Sequence, residues 1–308
     1  MVHLEFKPSS MSNGLQPNFL GIGGQKCAST WVYRVLKDHP QAGVGDPKEL
    51  DFFSYFFNHG FQWYESHFSR SIGRPVRGEI SPSYFCDAHA AERAARYNPA
   101  FRVVLTLRDP VDRAYSNHLH DIRTKNYVGP DLTFEAGLSN NPMYLIQSRY
   151  SKYLRKWFDF FSREQILVLL QEEIKIDPAR AACELYRFLG IAANHRSAFL
   201  FRRANESYVE KIAGLDASLR TLGRIARFVG AAKTANAVRN VPCIVKVREK
   251  NRRYLGEIVP PMTDDMRLRL QDAFADDILE VARLLRRDAL PWKTWECAVS
   301  RERKAASR

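Results

Sequence analysis

Apolar residues along the chain fall into short unbroken runs and into periodic stripes, and the two kinds of pattern alternate. Phe19-Leu20-Gly21-Ile22 is a short run ending in Gly23-Gly24, the form of a buried parallel strand closed by glycine. From Ser29 to Lys37 the period changes. Trp31, Val32, Val35 and Leu36 share one helical face, and Asp38-His39-Pro40 stops the helix. The same order returns at Val103-Val104-Leu105-Thr106-Leu107, which is followed by Arg108-Asp109-Pro110. Ala114, Tyr115, His118, Leu119 and Ile122 then recur at helical spacing. Asp before Pro is what a helix start requires: a capping carboxylate, then a residue whose missing N–H costs nothing at the first helical position. A third run, residues 166–170, leads to a predicted helix over 178–189 closed by Gly190. Strands alternating with helices predict an α/β fold, a parallel sheet flanked by helices.

Beyond residue 205 the pattern predicts helices. Leu215, Leu219, Leu222, Ile225, Ala226 and Val229 form one stripe, with Arg220, Arg224, Arg227 and Lys233 elsewhere on the turn. A basic loop, Lys250-Asn251-Arg252-Arg253, precedes Pro260-Pro261, and an amphipathic helix is expected over 263–287 with Thr263-Asp264-Asp265 as its cap. The polar tail after residue 299 is expected to fray. The expected organisation is one domain over 1–308: a nucleotide-binding α/β core at 18–205, a mostly helical part at 206–298 and a disordered tail at 299–308.

Composition narrows the partners. Of 308 residues, 45% are hydrophobic and 26% charged, which fits a soluble globular chain and excludes wholesale disorder. Net charge is +13 and the pI about 9.6. That excess points to an anionic partner: a polyphosphorylated nucleotide, a nucleic acid or an acidic membrane surface. No apolar run reaches the ~18 residues of a membrane span, and the first residues carry no secretory signal pattern. Five scattered cysteines, Cys27, Cys86, Cys183, Cys243 and Cys297, form neither a CxxC pair nor a zinc pattern, and imply reduced thiols in a cytoplasm.

The stretch Gly21-Ile22-Gly23-Gly24-Gln25-Lys26-Cys27-Ala28-Ser29-Thr30-Trp31 lies between the first strand and its helix. Helix N-terminal N–H groups and the helix dipole favour an anion there. Ser29 and Thr30 add hydroxyls and Lys26 a mobile cation. The stretch departs from GxxxxGK[ST], because Gln25 stands where the last glycine belongs and Cys27 where the magnesium-binding hydroxyl belongs. Chemistry without a metal is the expectation. A second stretch, Arg108-Asp109-Pro110-Val111-Asp112-Arg113-Ala114-Tyr115-Ser116, leaves the carboxyl end of a strand, where ligands sit in open α/β sheets. An arginine fork with a serine about two helical turns on can hold a terminal phosphate.

With two further segments, these stretches resemble a known family. The first is similar to the 5′-phosphosulfate loop of sulfotransferases that use 3′-phosphoadenosine-5′-phosphosulfate (PAPS), and the second to their 3′-phosphate motif, with Arg108 and Ser116 at the matching positions. Lys48-Glu49-Leu50-Asp51-Phe52-Phe53 and Gly78-Glu79-Ile80-Ser81-Pro82-Ser83-Tyr84 resemble segments of the branch that holds heparan-sulfate and bacterial sulfotransferases. The resemblance implies a P-loop-like fold and PAPS as co-substrate, with 3′,5′-ADP as product and no metal required. It also implies donor binding by Lys26, Cys27, Ala28, Ser29, Thr30, Trp31, Arg108 and Ser116. Lys26 would stabilise the leaving group, and Glu49 would be the base that takes a hydroxyl proton, its pKa raised by partial burial against Phe52 and Phe53.

Three positions depart from the family pattern: Asp51 for histidine, Ile80 for lysine and Ala28 for glycine. The first two remove positive or proton-sharing groups and argue against an acidic polysaccharide acceptor, and Asp51 either assists Glu49 or replaces it. Arg252 and Arg253 either close over the nucleotide or form a solvated charge run. Aromatics Phe56, Phe57, Phe61, Trp63 and Tyr64 either stack on a sugar or pack. The acceptor remains open: a small molecule, a glycan or a lipid-linked hydroxyl, with no nucleic acid partner and with peripheral membrane contact left open. Oligomeric state is unreadable. Two rival readings stand: a kinase with a degenerate P-loop, and a basic nucleic-acid or membrane-surface protein built on the 215–233 stripe.

Overall fold

The structure, a computed structural model, describes residues 16–125, 127–202, 208–210 and 252–306. The 215–233 stripe, Lys250 and Asn251 lie outside the described residues. Two compact units are present.

The first unit comprises Met1–Asn117, Pro142–Ala204 and Asp264–Arg308 and holds a five-stranded parallel sheet, ordered β2-β3-β1-β4-β5. Its strands are β1 (Phe19–Gly21), β2 (Ala42–Val44), β3 (Val76–Ile80), β4 (Arg102–Leu107) and β5 (Ile166–Leu170). The three apolar runs of the sequence are β1, β4 and β5. From Val103 to Leu107 every residue of β4 is buried. Helix α1 (Ser29–Asp38) packs Trp31, Val32, Val35 and Leu36 into one core cluster with Leu185, Tyr186 and Leu189 of α9 (Pro178–Leu189). The start of α9 is fixed by Asp177, whose carboxylate accepts the Arg180 N–H at 2.9 Å, and by Pro178 in the first turn. Its end is fixed by left-handed Gly190, φ 73°.

Asp109 has a wider role than capping α4 (Pro110–Lys125). Its buried carboxylate accepts the Val111 N–H at 3.0 Å and the Asp112 N–H at 3.3 Å. It also accepts the Thr294 N–H at 3.1 Å and the Thr294 hydroxyl at 3.0 Å. Thr294 opens the closing helix, labelled α11 (Lys293–Ala306), which follows α10 (Asp264–Leu285). One carboxylate thus ties the end of β4 to the last helix, and Asp109→Ala strands several buried donors. The expected result is a loss of about 2–4 kcal/mol in chemical denaturation.

Three expectations change. The tail does not fray after residue 299: α11 runs to Ala306, held where Arg301 bridges Asp272 at 3.2 Å and also pairs with Asp276 of α10. The division near residue 205 is redrawn, because α10 and α11 belong to the unit that carries the sheet. Arg252 and Arg253 are not in a loop. They lie in β7 (Arg252–Tyr254), paired antiparallel with β6 (Tyr208–Glu210), so main-chain hydrogen bonding to a partner strand decides their conformation.

The second unit, His118–Asn141 with Asn205–Thr263, contains the β6–β7 pair and α5 (Phe134–Asn140). Thr133 caps α5 by accepting the Ala136 N–H at 3.3 Å, and Ile122, Leu255 and Val259 form its apolar cluster. No helix among the described residues is long and apolar enough to cross a membrane.

Candidate active site

Strand order brings the sequence motifs together. β1 lies between β3 and β4, so the loop after β1, the segment ending β3 and Arg108 after β4 all leave the carboxyl edge of three adjacent strands. The ladder continues past β1: the Ile22 N–H donates to Val104 O and the Gly24 N–H to Thr106 O, each at 2.9 Å. This contact needs a glycine, because a Cβ at position 23 would lie 2.3 Å from Thr106 Oγ1.

The loop then turns through two left-handed non-glycine residues, Lys26 (φ 66°) and Ala28 (φ 75°). Ala28 is the residue that precedes α1, and it makes no side-chain cap to that helix. Ser29 is buried and Thr30 half-buried at the first helical positions. Cys27 is wholly buried. Its thiol donates to Gln25 O at 3.4 Å, and burial pushes it up to about 11 against the pull of the Arg113 and Arg108 charges. It stays neutral, so only its backbone can serve an anion. Trp31 is likewise a core residue: its indole N–H donates to Leu200 O at 3.1 Å and its amide to Ala28 O at 2.9 Å. Both of its N–H donors are thus engaged within the fold.

Arg108 has a side chain 19% exposed, 3.9 Å from Asp112 Oδ2, and Asp112 is engaged more closely by Arg267 at 2.9 Å. The Arg108 Nε–H is buried and has no hydrogen-bond partner among the described residues. Ser116 lies half-buried on α4, one turn beyond Asp112 on the same helical face. Arg113 went unrecognised as a contributor. It is 0% exposed and donates to Ser148 Oγ at 2.7 Å, Gln147 Oε1 at 3.2 Å and Tyr144 O. No carboxylate pairs with it among the described residues. The Arg113 guanidinium pulls the Cys27 thiol down against the effect of burial, so its charge reaches the loop. Its place in the Arg-x-x-x-x-Arg spacing after β4 was the available signal.

The Glu49–Asp51 turn is the second left-handed segment, with φ 65° at Glu49 and 50° at Asp51. Four of the five non-glycine residues with positive φ among the described residues lie in these two turns, the fifth being Arg286. Such conformations cost about 1–3 kcal/mol each and concentrate at functional sites. Glu49 is not buried against Phe52 and Phe53. Those rings are fully buried, whereas the Glu49 side chain is 46% exposed and its Oε1 pairs with Lys48. The more enclosed carboxylate is Asp51. It accepts the Ser83 hydroxyl at 2.5 Å, and its N–H donates to Ser81 Oγ at 2.9 Å. Burial raises its pKa, while the Ser83 hydroxyl opposes the rise.

Tyr64 packs rather than binds, stacked on Phe52 at 4.5 Å between centroids. Phe57, Phe61 and Trp63 also contact the Phe52 ring. Phe56, at 42% exposure, and Tyr55, at 70%, face outward beside Asp51. Ile80 is a core residue, wedged against Gly21.

Comparison with known proteins agrees with this geometry. The family profile described as sulfotransferase domain matches residues 16–213. The bifunctional heparan sulfate N-deacetylase/N-sulfotransferase 4 of Mus musculus is 26% identical over 305 residues, which is 91% of this chain and 31% of the relative. Isoform 2 of Homo sapiens is 27% identical over 300 residues, 91% of this chain and 30% of the relative. The chain thus spans about a third of the length of the curated relatives it matches. The crystal structure of a sulfotransferase from Alicyclobacillus acidocaldarius superposes with a TM-score of 0.64 at 21% identity, covering 89% of this chain and 97% of the other, and shares the fold. With a matched profile covering most of the chain and four motifs gathered at one sheet edge, this protein belongs to the sulfotransferase family.

Proposed function

We propose that the chain transfers a sulfuryl group from PAPS to an acceptor hydroxyl, on a carbohydrate or glycolipid, and releases 3′,5′-ADP. The observation that carries this reading is the convergence, on adjacent strands β1 and β4, of a helix-start anion loop and an arginine whose buried Nε–H has no partner among the described residues. The loop of residues 23–30 would hold the 5′-phosphosulfate through main-chain N–H groups and the Ser29 and Thr30 hydroxyls. Arg108 and Ser116 would hold the 3′-phosphate, and the Arg113 charge beneath them favours any anion there.

Transfer is then a matter of placement and charge. Lys26, on its left-handed turn, meets the charge that develops on the bridging oxygen as the S–O bond breaks. Glu49, exposed at the mouth of the site, takes the acceptor hydroxyl's proton as the new S–O bond forms, and Asp51 stands beside it. No step asks for a metal. The two carboxylates at this mouth, with Ile80 buried, favour a neutral acceptor over a sulfated or uronate-rich one.

The test is incubation of the protein with PAPS labelled in its sulfate and a panel of neutral glycans and glycolipids. The expected result is labelled ester and 3′,5′-ADP in equal amounts, unchanged by chelator. Magnesium-dependent ATP turnover without sulfate transfer would contradict the reading.

A further inference from the structure

Glu79 is a charged residue on an internal strand, 0% exposed, in register with Leu20 of β1. Burying a carboxylate is costly unless its hydrogen bonds are made, and the recorded bond of Glu79 leads to the 49–53 turn. Its Oε2 accepts the Ser81 hydroxyl at 2.6 Å, and the same Ser81 oxygen accepts the Asp51 N–H at 2.9 Å. The Tyr84 hydroxyl, close enough to feel the Glu79 charge, accepts the Phe53 N–H at 3.3 Å. The other Glu79 carboxylate oxygen, Oε1, is buried and has no hydrogen-bond partner among the described residues. The Asp51 amide is therefore tied to the buried carboxylate through one hydroxyl, and the Phe53 amide is held by the neighbouring Tyr84 hydroxyl. They belong to the segment whose left-handed Glu49 and Asp51 need an external hold.

We propose that Glu79 is a positioning residue: through Ser81, and with the Tyr84 hydroxyl beside it, it holds the 49–53 turn in the conformation that presents Glu49 to the acceptor. The proposal rests on the sulfotransfer reading and adds a regulatory consequence to it. The ionised carboxylate accepts the Ser81 hydroxyl as a charge-assisted bond, and protonation weakens that bond to a neutral one. Burial pushes Glu79 up to about 7, and the Asp51 charge pushes the same way. The Ser81 and Tyr84 hydroxyls and the Leu50 amide pull it back. The groups facing it are Asp51 on the turn, Tyr64 on α2 (Gly60–Ser66) and Tyr84 beyond β3, with Lys48 and Glu49 acting on Asp51. Acidification through neutrality thus loosens the turn, and transfer falls with it.

The experiment compares wild type, Glu79→Gln, Ser81→Ala and Tyr84→Phe in PAPS-dependent transfer from about pH 5.5 to about 8.5, with 3′,5′-ADP affinity and melting temperature measured alongside. In wild type, kcat falls as pH drops through about 7. Glu79→Gln, which keeps the shape but loses the charge, lowers kcat at pH 8 by about tenfold, less than loss of a catalytic base. It also removes the acid limb and leaves 3′,5′-ADP affinity within about twofold.

The stability readout has a fixed sign. A carboxyl whose folded pKa is raised supports the fold fully at low pH and loses that support as pH rises through the folded value. Glu79→Gln therefore melts higher than wild type at pH 8 but not at pH 5. If Glu79→Gln does not fold, Ser81→Ala and Tyr84→Phe must each lower kcat without changing 3′,5′-ADP affinity. Wild-type kcat in both, or an acid limb retained in Glu79→Gln at undiminished kcat, overturns the proposal. An inactive wild type overturns the sulfotransfer reading, and this proposal with it; an active wild type indifferent to Glu79 overturns this proposal alone.

Discussion

Glu49→Gln should abolish most sulfuryl transfer while leaving the donor site intact. Glutamine keeps the size and the hydrogen-bonding reach of the side chain but cannot accept a proton, so the loss reports the base and not the packing. A positioned general base contributes about 10²–10⁴ in rate, or roughly 3–5 kcal/mol of barrier. The carboxylate is 46% exposed, so the substitution places no new polar group in the core and the fold should be unaffected. Asp51→Asn is the informative companion. Asp51 is pinned by Ser83 and Ser81, which suits a neighbour that shapes the turn, and its loss should cost about tenfold in kcat, well short of a base's contribution. A loss in Asp51→Asn that exceeds the loss in Glu49→Gln would move the base two residues along the turn. The assay is single-turnover release of labelled ester, which separates chemistry from product release.

The second large effect is expected at the donor. Arg108→Ala with Ser116→Ala should weaken 3′,5′-ADP about 10²–10³-fold, since charge-assisted hydrogen bonds contribute about 1.5–3 kcal/mol each. AMP affinity should stay within about threefold, because AMP has no 3′-phosphate for this pair to hold. The selectivity carries the argument: general damage to the sheet edge would weaken both nucleotides alike. The buried Nε–H of Arg108, which has no hydrogen-bond partner among the described residues, is the structural reason to expect a large effect, because such a donor gains its bond when the anion arrives.

What the sequence conveyed and what it withheld divide along physical lines. β1, β4 and β5 were legible because they are central or long enough to show as apolar runs, and α9 because Asp177, Pro178 and Gly190 punctuate both its ends. β2 and β3 were not. Ala42–Val44 is three residues with a central glycine, and Val76–Ile80 carries Arg77, Gly78 and Glu79, a pattern that reads as loop. The same fact hid Glu79 as a functional candidate: a carboxylate inside a strand is recognisable only once its burial and the hydroxyl that bonds it are known. The glycine-rich loop and Arg108 were placed from their positions after strands, yet what surrounds their side chains was only partly readable. Trp31 and Cys27 turned out to be core residues. The exposure of Glu49 follows from Phe52 and Phe53 filling the core beneath the turn, a tertiary outcome that residue spacing does not encode.

The central claim is that two loops on adjacent strands grip the two ends of one doubly phosphorylated nucleotide. Titration calorimetry of the purified protein with 3′,5′-ADP and then with AMP, repeated on the Arg108→Ala/Ser116→Ala variant, tests it most directly. The account predicts that 3′,5′-ADP binds wild type at least about a hundredfold more tightly than AMP, and that this preference disappears in the double variant. Equal affinities for the two nucleotides in wild type, or a preference that survives the loss of both side chains, would contradict it.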